Sequence, residues 1–135
     1  MLISILVDDS GMVSMIKDID AKDWDAEVLK SQKPIAVEFW HEYCMWSSKM
    51  LPDLMAVTDE LPEITFVRIN VRSSQDNYNM AMKYGITGTP TIKVFLGGRV
   101  IGEIIGHKAK PELKALISSI VEKGEAAVAS SSPMG

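Results

Sequence analysis

The residues best placed to do chemistry lie in the run Phe39-Trp40-His41-Glu42-Tyr43-Cys44-Met45-Trp46-Ser47. Cys44 is the only cysteine in the chain. A thiol of ordinary pKa, about 8.5, is only a few per cent thiolate at pH 7, and the thiolate is the nucleophile. At a helix N-terminus, unpaired backbone N–H groups and the positive end of the helix dipole favour the anion. Cys44 follows one β-rich run and precedes an amphipathic one, so it falls at such a place. A cysteine three positions on would complete a dithiol motif, but Ser47 stands there. The plain alternative is a buried structural cysteine. The loop position and the polar neighbours His41, Glu42 and Ser47 argue against burial.

The elements that must hold this thiol follow from pattern. Val13–Ile19 reads as a short strand, and Asp20 or Asp23 caps a helix to about Ser31, with Trp24, Val28 and Leu29 inward. Pro34 breaks the chain, and Ile35–Trp40 is β-rich. After Cys44 a helix runs to about Leu61, with Met50, Leu51, Leu54, Val57 and Leu61 as its apolar stripe and Pro52 as a kink. Ile64–Val71 is a further β-rich run. Ser74–Tyr84 reads as a helix closed by Gly85. Thr91–Leu96 and Arg99–Ile105 are strands joined at Gly97-Gly98, and Pro111 starts a helix over 112–123 that Gly124 ends. Helices between β-rich runs imply parallel crossovers, and the Gly-Gly hairpin adds an antiparallel pair. The expected architecture is α/β, a mixed central sheet with helices on both faces.

This core, residues 15–123, has extensions on both sides. Residues 1–14 hold a possible strand, Ile3–Val7, and a turn at Asp8-Asp9-Ser10-Gly11, and Met12 and Met15 are further candidate starts. Residues 124–135 are small and polar and read as a flexible tail. With 135 residues, 47% of them hydrophobic, the chain can bury a real core as one domain. Its net charge of −4 builds no basic face, so nucleic acid is not an expected partner. One cysteine makes no internal disulfide. Met1–Val7 lacks a basic flank and is cut off by Asp8 and Asp9, and no stretch is long enough to span a bilayer. A cytoplasmic monomer without a membrane partner is the expectation. Cys44, His41 and His107 are too few and too scattered for a zinc site, and no cofactor is called for.

From about Met15 to Lys123 the chain resembles the thioredoxins. The resemblance is carried by Val37-Glu38-Phe39-Trp40, by Tyr43-Cys44-x-x-Ser47, by Lys49-Met50 and by Pro52. It continues through Arg68-Ile69-Asn70-Val71, Lys83-Tyr84-Gly85-Ile86-x-Gly88-Thr89-Pro90-Thr91, Gly97-Gly98 and Gly106. It implies a thioredoxin fold and thiol–disulfide exchange, with Cys44 as the attacking thiol. Thr89-Pro90 then matches the family's cis-proline loop. Trp40, Thr89, Pro90 and Gly106 match the flat rim that receives a substrate segment, to which Tyr43, Met45 and Trp46 add apolar surface. The implied partners are disulfide-containing proteins and an electron-donating reductase or small thiol. Monothiol glutaredoxins share the Cys-x-x-Ser spacing but carry Gly and Phe where this chain has Met45 and Trp46.

Two departures matter. Glu38 and Arg68 stand where the family usually has Asp and Lys. Arg is permanently charged, so the expectation is that Arg68 holds Glu38 ionised and makes it a poor proton acceptor, a structural pair as readily as a catalytic one. Ser47 replaces the resolving cysteine, natively or by an introduced change. Its hydroxyl can hydrogen-bond the Cys44 thiolate but cannot attack a mixed disulfide. The expectation is a monothiol protein that stalls as the mixed disulfide unless an external thiol resolves it. A reading from another class is a redox-inactive thioredoxin-fold binding or scaffold module, holding an extended peptide beside Pro90 by backbone pairing.

Overall fold

The computed structural model describes residues 2–7 and 13–131, with side chains from residue 16 to residue 130. Six strands form one sheet: β1 (Leu2–Val7), β2 (Val13–Ile19), β3 (Ile35–Trp40), β4 (Thr65–Asn70), β5 (Thr91–Leu96) and β6 (Arg99–Ile105). Their spatial order is β1-β2-β4-β3-β5-β6. β4 runs parallel to both β2 and β3, while β5 and β6 extend the sheet antiparallel from β3. The mixed sheet is therefore the one expected. The strand foreseen near the N-terminus pairs antiparallel with β2 as an edge strand. The turn at Asp8–Gly11 lies outside the described residues.

Period-two alternation sorts the sheet into two faces. Ile16, Ala36, Phe66, Ile92 and Val94 pack under helices α1 (Met45–Glu60) and α3 (Lys110–Ser131), against Met50, Leu54, Leu113 and Ile117. On the other face, Ile35, Val37, Phe39, Ile69 and Phe95 meet Trp24, Val28 and, from helix α2 (Gln75–Lys83), Ala81. Glu38 and Arg68 share the alternation of Ala36 and Phe66, so they lie on the face covered by α1 and α3.

Local signals explain most boundaries. The Ser74 hydroxyl accepts the Asn77 N–H at 3.0 Å as the cap of α2, and Gly85 follows that helix at φ +70°. Gly97 and Gly98 take φ +60° and +81°, as a two-residue hairpin turn demands. Two expectations are corrected. The segment after Asp20 is a 3-10 turn, Ala21–Asp23, followed by a π-helical turn, Asp25–Leu29, rather than one regular helix. Trp24 and Val28 are still buried as foreseen. And α3 does not stop at Gly124 but runs to Ser131, so the tail expected from residue 124 is helical up to that point. Gly124 is there for close approach: a Cβ on it would lie 2.6 Å from Ile101 Cδ1 on β6.

Candidate functional site

Cys44 is the N-cap residue of α1, with extended backbone (φ −93°, ψ 109°). Its N–H donates to the His41 carbonyl at 3.1 Å, which closes the loop between β3 and the helix. Its own carbonyl accepts the Ser48 N–H at 3.3 Å and begins the helical ladder. The side chain therefore stands at the positive end of the helix, half-buried, as a free thiol. Across from it, the Thr89–Pro90 peptide bond is cis. The Cys44 thiol donates to the Thr89 carbonyl at 3.1 Å, which ties the two loops together. The Pro90 carbonyl in turn accepts the Gly106 N–H at 2.8 Å, and Gly106 turns at φ +88° just beyond β6.

The electrostatics of the thiol are a contest. Burial pushes the Cys44 pKa up and is the largest single effect. Against it act the Thr89 side chain, the Ser47 hydroxyl, and the backbone N–H groups of Ser47 and Trp46. Together they hold the thiol below its ordinary value. The Thr89 carbonyl works in the opposite sense, because it can only accept from the protonated sulfur. Ser47 is completely buried, and its hydroxyl has no partner within strict hydrogen-bond geometry among the described residues. A hydroxyl so placed is available to a thiolate when one forms.

The surface around the sulfur is apolar and open. Tyr43, Met45 and Trp46 are 76%, 63% and 53% exposed, unusual for large side chains. Trp46 packs on His107 with ring centres 5.6 Å apart, and Lys49 lies 5.0 Å over its ring. Arg72 lies 5.3 Å from the Tyr43 ring on the other flank. Of the residues singled out in the sequence, Cys44, Thr89, Pro90 and Gly106 are joined by hydrogen bonds or the cis peptide, and Ser47 sits behind the thiol.

Trp40 takes part in a second cluster. The Arg68 guanidinium carbon stacks 3.9 Å over the Trp40 ring. The Arg68 Nε–H donates to Glu38 Oε1 at 2.7 Å, with both side chains almost wholly buried. Asp18 sits opposite Arg68 in the register of the adjacent strand, so Arg68 lies between Asp18 and Glu38 across the sheet. The expectation that Arg68 would keep Glu38 readily ionised is corrected. Burial raises the Glu38 pKa more than Arg68 lowers it, and the nearby Asp18 charge raises it further.

Sequence reasoning missed the polar ties that brace the loop. Asn70 Nδ2–H donates to Glu42 Oε2 at 2.6 Å, and Asn70 Oδ1 accepts the Arg72 N–H. Asn77, completely buried in α2, accepts the Ala21 N–H at 2.7 Å and donates to Asp20 Oδ1 and the Asn70 carbonyl, each at 3.0 Å. A helical Asn reads as a surface residue, and nothing local marks it as buried. Among the described residues, no group of three His, Cys, Asp or Glu side chains could hold a metal ion, and no helix is long and apolar enough to cross a membrane.

A free thiol at a helix N-terminus, facing a cis-proline loop on a mixed sheet, defines a protein of the thiol–disulfide oxidoreductase class. The sequence comparisons agree. The family model described as Thioredoxin matches residues 15–119. A thioredoxin of Streptomyces clavuligerus is 36% identical over 102 residues, which cover 76% of this chain and 92% of that protein. The chloroplastic M-type thioredoxin of Zea mays is 34% identical over 107 residues, 76% of this chain and 60% of that one. A thioredoxin of Acidithiobacillus ferridurans is 29% identical over 109 residues, 80% of this chain and 98% of that one. The chain belongs to the thioredoxin family.

Proposed function

We propose that this protein is a monothiol member of its family, with Cys44 as the nucleophile and Ser47 in the resolving position. The observation that carries this reading is the placement of a half-exposed free Cys44 at the N-cap of α1, tied to the cis Thr89–Pro90 loop, with a fully buried Ser47 in the first turn of that helix. The thiolate attacks a substrate disulfide, one substrate sulfur leaves, and a mixed disulfide with Cys44 results. The chain holds no second thiol to break it, so release falls to a thiol from outside. The exposed Tyr43, Met45 and Trp46 and the Thr89-Pro90-Gly106 rim receive an extended protein segment around its disulfide. Glu38 and Arg68 serve this site indirectly, by fixing Trp40 at the end of β3, the strand that leads into the Cys44 loop. Disulfide-containing proteins are the substrates, and a small thiol or a reductase supplies the release step. A reducing, cytoplasmic compartment suits a protein whose only cysteine is free.

Intact-mass measurement after mixing with a model disulfide near neutral pH tests the first half. A stoichiometric adduct on Cys44 is expected, with little or no catalytic reduction. Ser47→Cys should then give multiple turnover. If Cys44 forms no adduct, the exchange reading is wrong and a redox-inactive binding module takes its place. Affinity for a partner would in that case survive Cys44→Ala.

A further inference from the structure

The end of the sheet away from Cys44 carries a cleft of its own. Cys44 follows the end of β3, whereas Phe95, near the end of β5, pairs with Ile35 at the start of β3. The β5–β6 turn therefore lies a strand's length, roughly 20 Å, from the Cys44 loop. Beside that turn a cleft of about 820 Å³ opens between three segments: the residues that close the π-helical turn, the β5–β6 hairpin and the last turns of α3. Its apolar lining is Leu29, Leu96, Val128 and Ala129. It shares no residue with the Cys44 site.

Two glycines build the cleft. Gly98, at φ +81°, lets the hairpin close on the end of the π-helical turn, since a Cβ there would stand 3.1 Å from the Leu29 carbonyl oxygen. Gly124 lets α3 approach Ile101 of β6, and the helix then continues to Ser131. That continuation supplies the third wall. Glu125, Val128 and Ala129 stand at i, i+3 and i+4, so one helical stripe borders the cleft. Val128 is left 53% exposed there.

The charges say what fits. Lys30 and Arg99 both line the cleft, and neither side chain has an ion-pair or hydrogen-bond partner among the described residues. Glu125 is the only carboxylate in the lining, and it also borders a separate hollow with Glu63 and Glu122. It thus marks the border between a cationic cleft and an acidic neighbour. Two cations against one carboxylate, over an apolar floor, complement an apolar body with one negative charge. Four apolar side chains are few for a stable protein interface, which takes about 20–30 residues a side. The volume is instead that of a small-ligand site, roughly 300–1,000 Å³.

We infer that this cleft is a second binding site, for a small apolar carboxylate such as a short acyl chain. The chain covers Leu29, Leu96 and Val128, and the carboxylate answers Lys30 and Arg99. Occupancy leaves Cys44 free to react, so the inference stands apart from the monothiol reading.

The test titrates sodium octanoate into the full chain and follows the backbone amides by NMR. Saturable shifts confined to residues 29–32, 96–99 and 125–129 are expected, with Cys44 and Thr89 unmoved. Lys30→Glu and Arg99→Glu alter exposed side chains and should each weaken binding about fivefold. Val128→Asp, which places a charge on the apolar floor, should abolish it. Octylammonium, with the same chain and the opposite charge, should bind more weakly than octanoate. Shifts scattered over the surface, a titration that does not saturate, or octylammonium binding as tightly as octanoate each overturn the inference. Shifts in the cleft from an apolar acidic peptide, with none from octanoate, would make it a protein-docking site and overturn it as well.

Discussion

Cys44 and Glu38 stand on either side of Trp40 along the chain and answer burial in opposite ways. Desolvation is the largest effect on each, and it pushes both pKa values up. At Cys44 it loses to groups that favour the thiolate: the Thr89 and Ser47 side chains and two N–H groups of the first helical turn. At Glu38 it wins. There the opposing help comes from one residue, Arg68, and Asp18 shares the same guanidinium neighbourhood. Glu38 Oε2 has no hydrogen-bond partner among the described residues. The difference follows from depth as well as from donors: Glu38 is almost wholly buried, while Cys44 is only partly buried and stands at a helix N-terminus. A strand interior offers few spare N–H groups, since the ladder uses them, whereas a helix N-terminus offers several.

Substituting each group should therefore break different things. The largest functional effect belongs to Cys44: Cys44→Ser should bring mixed-disulfide formation to background, with the fold retained by circular dichroism. The largest stability effect belongs to the pair. Glu38→Ala leaves a buried guanidinium without its carboxylate and should cost about 3–5 kcal/mol in urea denaturation. Replacing both partners, Glu38→Met with Arg68→Leu, should recover part of that loss, because the two buried charges of the pair leave together and only Asp18, on the neighbouring strand, loses an opposite charge. A double variant no more stable than the single one would show that the pair is not held by mutual compensation. Ser47→Ala is the milder, sharpening change. Its hydroxyl has no strict partner beside the protonated thiol, so stability should move by less than about 1 kcal/mol. The pH profile of Cys44 alkylation should nevertheless move to higher pH, because one of the groups that favours the thiolate is gone. An unmoved profile would assign the depression to Thr89 and the helix N-terminus alone.

The same contrast separates what was legible in the sequence from what was not. Signals that act within a few residues came through: Ser74 and Gly85 at the ends of α2, Gly97-Gly98 in the hairpin, Cys44 between strand and helix. Features that depend on a distant partner did not. Gly124 reads as a helix stop, but in the folded chain it admits Ile101 of β6 and the helix continues past it. Asn77 reads as a solvated helix residue, yet it closes the gap between α2 and the turn after β2. The pairing of Glu38 with Arg68 was readable from motif positions. Its net effect on Glu38 was not, because that depends on how deep the pair lies and on Asp18 arriving from a third strand.

The smallest expected effect is the most diagnostic of the Glu38 side of the comparison. Because its folded pKa is raised, native Glu38 keeps its proton at pH values where the unfolded chain has already released it. In that window the native state binds more protons, so stability falls as pH rises. The window opens near the ordinary carboxylate value of 4.5 and closes at the folded value. Glu42 and Glu60 run the other way. Their pKa values are lowered, by the Asn70 amide and by Lys110 and Lys114 respectively, so what they contribute is present above the ordinary value and lost as pH falls. A bare pH titration of stability mixes the two signs. The difference between wild type and Glu38→Gln removes the surface groups, since both chains carry them, while the amide still offers Arg68 an acceptor. Wild type should lose stability relative to Glu38→Gln as pH climbs through the window, and the two curves should run parallel above it. A difference that slopes the opposite way would mean that Arg68 outweighs burial after all, and that Glu38 and Cys44 are alike.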